Sequence, residues 1–229
     1  MATTTITANA TTRRPAEITK ASYAPLAVLA LAQIGTSSDS AAMNLATASL
    51  VGTLGATLDD IQMATTLFSL IAGAFMIAGG LVGVTIGLHR ALAMGLSLAV
   101  AGEMVAALSP NIFAFTWGGR VIMGLGACLI TPSVLGLVAA LYQGRQRAIA
   151  FGTIAGAAAL STLSPLALGI VMDSSGFRLT FAIMAIYFVL VLCCTRLIPR
   201  TPLSGNHSHF DVAGTIVAAL GMGLALFGV

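Results

Sequence analysis

Apolar residues run in long unbroken stretches along this chain, separated by short polar breaks. Seven such stretches fall at 24–50, 61–87, 91–108, 112–141, 148–172, 179–197 and 212–229. None alternates strictly between apolar and polar positions, so the pattern predicts helices throughout. A membrane-spanning helix needs about 20 residues to cross a hydrocarbon core about 30 Å thick, and the first six stretches are read as full spans. The seventh follows Asp211 and reaches only about 27 Å as a helix, so it barely spans. The expected fold is therefore all-α: a polytopic membrane bundle of six full transmembrane helices plus the start of a seventh. A β-barrel is excluded because its strands would be short and alternating. Residues 1–20 are polar and Thr-rich and read as a disordered cytoplasmic tail. Residues 21–200 make the six-helix bundle, and 201–229 a cytoplasmic loop with a seventh helix cut short.

Composition agrees with this reading. Of the 229 residues, 58% are hydrophobic and 7% charged, where a soluble domain carries roughly a quarter charged residues. Mean hydropathy is +1.00. Such a chain cannot cover a globular surface with polar groups, which excludes a soluble enzyme, a nucleic-acid binder and a disordered chain. The net charge of +3 is informative only by position. With the N-terminus in the cytoplasm, Arg13, Arg14, Lys20, Arg90, Arg145, Arg147, Arg196 and Arg200 lie inside and only Arg178 outside. That asymmetry follows the positive-inside rule and sets the N-terminus in the cytoplasm; the expected location is a cell membrane, bacterial inner or plasma. The Arg13-Arg14 pair and Ala30-Leu31-Ala32 before Gln33 mimic a cleavable signal, but the apolar run continues past Gln33 to Leu50. Cys128, Cys193 and Cys194 lie inside apolar runs without ligand spacing and read as packing residues. No metal site or cofactor is expected.

Small residues are patterned. Gly79, Gly83 and Gly87 fall on one face of the second span, and Gly152 and Gly156 repeat the spacing in the fifth. This spacing lets helix backbones approach closely. Pro132 and Pro165 should kink the fourth and fifth spans.

Three ionisable residues fall within spans: Asp39, Glu103 and Arg120. A charge at the bilayer centre costs at least about 2.5–3.5 kcal/mol on insertion scales, so each needs a reason. Counting from the outer ends at about 1.5 Å per residue puts Asp39 about 16 Å deep and Arg120 about 14 Å deep. The two share a level near mid-membrane. Ser37, Ser38, Ser40 and Asn44 flank Asp39 with polar groups suited to a wet cavity. The functional reading is a carboxylate that binds and releases a proton or a cationic substrate, tuned by a nearby Arg. The competing reading is a static pair that fixes helix packing. Glu103 comes out shallower, about 9 Å below Ser109. It stays open between a functional group and one that reaches the interface or pairs locally.

These residues carry a resemblance. The chain resembles the N-terminal half of a major facilitator superfamily transporter, and is most similar to the fourteen-span drug:proton antiporter branch. Arg120-Val121-Ile122-Met123-Gly124-Leu125-Gly126-Ala127-Cys128 resembles the family's proton-coupling motif, an Arg followed by a Gly-x-Gly step. Asp39-Ser40-Ala41-Ala42-Met43-Asn44-Leu45-Ala46 resembles its first-span motif of an Asp followed by Asn-x-Ala, without the usual Thr and Pro. Gln62-Met63-Ala64-Thr65-Thr66 resembles the start of its second span, with Met63 in place of Trp. The loop after the second span keeps Gly80, Gly87, His89 and Arg90 of a cytoplasmic latch motif, but Val84 stands at its Asp and Leu88 at a basic position. Ser164-Pro165-Leu166-Ala167-Leu168-Gly169 keeps only Pro165 and Gly169 of the antiporter motif in the fifth span.

The resemblance implies two six-helix bundles alternating access to a central cavity, lined in each bundle by the first and fourth spans. It implies protons and a small molecule as ligands, and a C-terminal half missing from this chain. The expected function is thus a secondary active transporter, exporting small molecules or drugs against protons, present as an N-terminal half or fragment. Its partners would be the lipid bilayer and the missing half or a second copy. The alternative is a half-length membrane protein without transport activity of its own. An intramembrane enzyme is disfavoured, since the sequence lacks a His-x-x-x-His pair and a Gly-x-Ser-x-Gly turn. A lone half is expected to expose Asp39 and Arg120 on an unpartnered face.

Overall fold

Every regular element that the computed structural model describes, over residues 23–199 and Gly221, is helical. The order is α1 (Tyr23–Leu54), α2 (Leu58–Ala74), α3 (Met76–Ile86), α4 (Leu88–Leu108), a π-helical segment (Ala114–Arg120), α5 (Val121–Leu141), α6 (Gly144–Leu160) and α7 (Ser164–Cys194). Short 3-10 turns follow α6 at Ser161–Leu163 and α7 at Thr195–Leu197. The tail expected over 1–20 and most of the seventh segment lie outside the described residues.

Each helix end has a local cause. Thr57 opens α2 with a capping box: its hydroxyl accepts the Asp60 N–H, and the Asp60 carboxylate accepts the Thr57 N–H. Gly87, at φ +99, makes the turn from α3 into α4, a left-handed conformation that favours glycine. Arg147 donates from Nε to the Tyr142 carbonyl at 3.0 Å and from Nη2 to that of Ala139. It thereby places a cation on the open carbonyls of α5.

Among the described residues, three helical stretches are long and apolar enough to cross a membrane: Leu88–Leu108, Ala114–Leu141 and Gly144–Leu197. The pair α2–α3, bent by 46° at Phe75, makes a fourth. Six full spans and the start of a seventh are therefore more than these helices support by length and apolarity. Two features account for the difference. Although α1 is 32 residues long, its middle carries Gln33, Thr36, Ser37, Ser38, Asp39, Ser40 and Asn44, which dilute its hydropathy. The stretch Gly144–Leu197 runs on through 54 residues, where the sequence predicts two spans and a loop. It is broken only by the 3-10 turn and by Gly176 at φ +75.

The proline expectations divide. Pro132 lies inside α5, which runs on without a break, whereas the fourth span is irregular at its start, over Ala114–Arg120. Pro165 occupies the first turn of α7, directly after the 3-10 turn, where its missing N–H costs nothing.

The core forms where α4 packs against α5 and α7, and α1 against α7. Gly79 and Gly83 are buried against α5 and the start of α4. At Gly35 on α1, an added Cβ would lie 2.7 Å from the Phe188 ring of α7. Gly152 and Gly156, expected to do likewise, face open space instead. At the end away from Arg90 and Arg147, Ser49 accepts the Phe177 N–H at 3.1 Å, and Arg178 donates to the Ser109 carbonyl at 3.1 Å. Phe115, Phe177 and Phe181 pack edge-on beneath these bonds. The outer surface carries large exposed apolar side chains, among them Leu166, Ile170, Ile186 and Leu190. Such a surface suits lipid.

Candidate functional site

Four helical elements converge on one charged cluster. Arg120 closes the π-helical segment, whose i→i+5 bonding stacks residues five apart. In an α-helix that spacing would turn them about 140° from one another. Phe115 and Arg120 are both buried, at 0% and 1% exposure, so the π turn directs the aromatic anchor and the guanidinium into one interior. Gly118 and Gly119 make the segment passable: a Cβ on Gly119 would approach Ala106 of α4 to 2.8 Å. The same approach operates one turn on, where a Cβ on Gly102 would lie 2.7 Å from the Met123 nitrogen. These contacts hold α4 against the π segment and carry Glu103, the residue after Gly102, into the interior.

Arg120 meets Asp39 of α1 through two parallel bonds, Nη1 to Oδ1 at 2.7 Å and Nη2 to Oδ2 at 2.9 Å. This bidentate fork is the strongest geometry open to a carboxylate and a guanidinium. The guanidinium also lies over the Phe68 ring of α2, 4.6 Å from its centroid, a cation–π contact. Asp39 is 0% exposed. Both oxygens of Glu103 and the Arg120 Nε lack a hydrogen-bond partner among the described residues.

The shared depth expected for Asp39 and Arg120 is met by direct contact. The expectation that they stand on an unpartnered face is corrected: this bundle buries both charges in its own interior. The polar stretch around them is partly buried, with Ser40 and Asn44 exposed. Thr36 donates to the Gln33 carbonyl at 3.0 Å and Ser40 to that of Thr36 at 3.5 Å, so these hydroxyls satisfy themselves on their own helix. Asn44 is exposed and does not join the pair. Glu103 does not reach the interface: it is fully buried and within electrostatic reach of Asp39 and Arg120. A count along one helix leaves open which way Glu103 faces; the close approach of α4 to the π segment at Gly102 and Gly119 turns it inward.

The remaining motif residues serve packing. Gly124 lies against Ile71 and Phe68 of α2, and Gly126 against Ala99 and Gly95 of α4. Gly80 faces Pro132 at 3.6 Å. His89 Nε2 is 3.0 Å from the Thr195 carbonyl, tying the α3–α4 turn to the end of α7, while Arg90 is exposed. Gly169 has open space around it.

The Major Facilitator Superfamily matches residues 29–229. The chain belongs to this superfamily of membrane proteins. It is similar to the methylenomycin A resistance protein of Bacillus subtilis (strain 168), 29% identical over 201 residues, covering 86% of this chain and 42% of that protein. It is also similar to a probable actinorhodin transporter of Streptomyces coelicolor, 27% identical over 213 residues, covering 90% of this chain and 36% of that one. The chain thus spans less than half the length of these relatives. Among solved structures, a peptide transporter in complex with sulfate superposes with a TM-score of 0.69 at 20% identity, over 89% of this chain and 46% of that one. A D-xylose–proton symporter superposes with a TM-score of 0.65 at 18% identity, over 90% and 55%. These likenesses carry the fold. The resistance proteins among the relatives place the chain beside the drug:proton antiporter branch.

Proposed function

We propose that this chain forms the first of two helical bundles in a secondary transporter that exports drug-like small molecules by alternating access, driven by protons moving inward. The observation that carries the reading is the buried Asp39–Arg120 fork at the two motif positions. A buried carboxylate held by a cation at these positions marks an interior where proton exchange can be coupled to a substrate. The names of the relatives, a resistance protein and an antibiotic transporter, supply the substrate class.

In this reading six spans cross the bilayer: α1, the bent pair α2–α3, α4, the stretch 114–141, the stretch 144–175 and the stretch 177–197. The polar middle of α1 is tolerated because it faces protein, and Gly176 turns the chain back at the outer surface. The basic residues set the N-terminus in the cytoplasm of a bacterial plasma membrane. Gly80, Gly87, His89 and Arg90 form a cytoplasmic latch built around the His89 bond to Thr195. The partners are the lipid bilayer, protons, a small molecule and a second bundle, supplied by further polypeptide or by a second copy.

The test is substrate-driven proton movement in inverted membrane vesicles from cells expressing the native gene, with a panel of cationic and neutral drugs. We expect at least one compound to collapse an imposed proton gradient, and Asp39→Asn to abolish the effect at equal expression. Collapse that persists in Asp39→Asn, or no response across the panel, overturns the reading.

A further inference from the structure

Two carboxyl groups and one guanidinium share the interior formed by α1, α4 and the π segment. Arg120 gives both terminal nitrogens to Asp39. Glu103, on α4, is fully buried, and among the described residues both its oxygens are without a donor. The charged groups that reach it are Asp39 from α1 and Arg120 from the segment before α5. Of the other helices packed on α4, α3 and α5 carry no charged residue, and of the two on α7 Asp173 is exposed and Arg178 is held at the Ser109 carbonyl.

Charge arithmetic then decides the state of the cluster. With both carboxyls ionised the interior holds one positive and two negative charges. The uncompensated charge would belong to a group with no donor at all, and burying such an ion costs several kcal/mol. A proton on Glu103 makes the cluster neutral. It also turns one oxygen into a donor toward the neighbouring carboxylate of Asp39, as two carboxyls at one site share a proton when they cannot both ionise.

We propose that Glu103 is the proton-holding member of a three-residue cluster in which Asp39 stays ionised and committed to Arg120. The inference deepens the transport reading and rests on it only for the consequence that the exchanged proton is this one. In the closed bundle the proton stays on Glu103. Its departure leaves a net negative charge that only a hydrated interior tolerates, so release is linked to opening. Asp39 then serves as the fixed counter-ion that sets the proton's place.

The sequence makes the test direct, because it holds only two glutamates, Glu17 and Glu103. The chain is labelled with carbon-13 at the glutamate carboxyls, reconstituted in lipid nanodiscs and followed by NMR from acid to alkaline pH. Two signals are expected. Glu17 titrates as an ordinary carboxyl, and the second signal keeps the shift of a protonated acid at pH 7 and vanishes in Glu103→Gln. An ionised shift for both signals at pH 7 overturns the proposal without any variant having to fold. Asp39→Asn supplies an independent check: Glu103 should replace Asp39 as the counter-ion of Arg120, and its signal should move to the ionised position at pH 7. A signal still protonated there contradicts the charge arithmetic. Both readouts are free of any transport assay, so a silent drug panel bears on the transport reading alone.

Discussion

Gly95 of α4 and Gly126 of α5 exclude each other's side chains reciprocally. A Cβ built on either glycine would stand 2.9 Å from the other's carbonyl oxygen. The two backbones are therefore as close as this helix pair allows, and neither neighbour is a flexible side chain that could swing away. Gly126→Ala should separate α4 from α5 and destabilise the bundle by about 1–3 kcal/mol. Thermal unfolding in mild detergent should show a lower Tm for Gly126→Ala. Gly152→Ala, where nothing lies within 4 Å, should leave it unchanged or raised.

The buried cluster predicts an unequal response to removing either partner. Taking one member from a buried pair costs about 3–5 kcal/mol when the other is left uncompensated. Arg120→Met leaves two carboxyls and no cation and should incur the full loss. Asp39→Asn leaves Glu103 available as a counter-ion and should cost less. Denaturant unfolding of the two variants at neutral pH gives the comparison, and equal losses would show that Glu103 does not substitute for Asp39.

At the loop between α1 and α2, the Thr57 backbone N–H and hydroxyl both bond the Asp60 carboxylate and hold its pKa below the usual value of 3.8. A depressed carboxyl contributes stability that is present above its unfolded pKa and lost as pH falls through the folded one. Asp60→Asn should therefore lower the Tm at pH 6 relative to the parent. The difference should shrink as the pH falls below about 4, the unfolded carboxylate range. A difference that is constant from pH 6 to pH 3 would assign the effect to something other than the charge.

Topology is open to labelling. Leu58 is 71% exposed at the start of α2, and Gln146 is exposed in the first turn of α6. In a background lacking the three native cysteines, Leu58→Cys in whole cells should react with a membrane-impermeant maleimide. Gln146→Cys should react only after the membrane is opened. The reverse pattern would invert the bundle.

Much of this arrangement was legible in the chain, for physical reasons that can be named. Long apolar runs force helices because lipid leaves the backbone no other partner. Asp39 and Arg120 were identifiable as partners because two costly charges at one depth stabilise one another. The features that escaped are those produced by packing between elements. The π turn before Arg120 had a faint mark in Gly118-Gly119, but periodicity along one helix does not reveal an inserted residue. The interior position of Glu103 follows from Gly102 and Gly119 meeting the neighbouring backbone, which a depth count along α4 cannot capture. The 46° bend at Phe75 interrupts a stretch whose apolar pattern is continuous. Gly176 joins two helices through a single left-handed residue where the polar residues around Ser174 and Ser175 suggest a loop.

Asp39 and Arg120 are 81 residues apart in the chain, and that interval is also a time. At synthesis rates of about 5–20 residues per second, the aspartate is made about 4–16 s before its arginine. During that interval α1 is a helix with an unmatched acid and a polar middle, poorly suited to entering lipid alone. Its acid is matched in the folded bundle by a side chain of the fourth apolar stretch. The fork that anchors the first helix is thus also a contact that the growing chain cannot supply until that stretch is made.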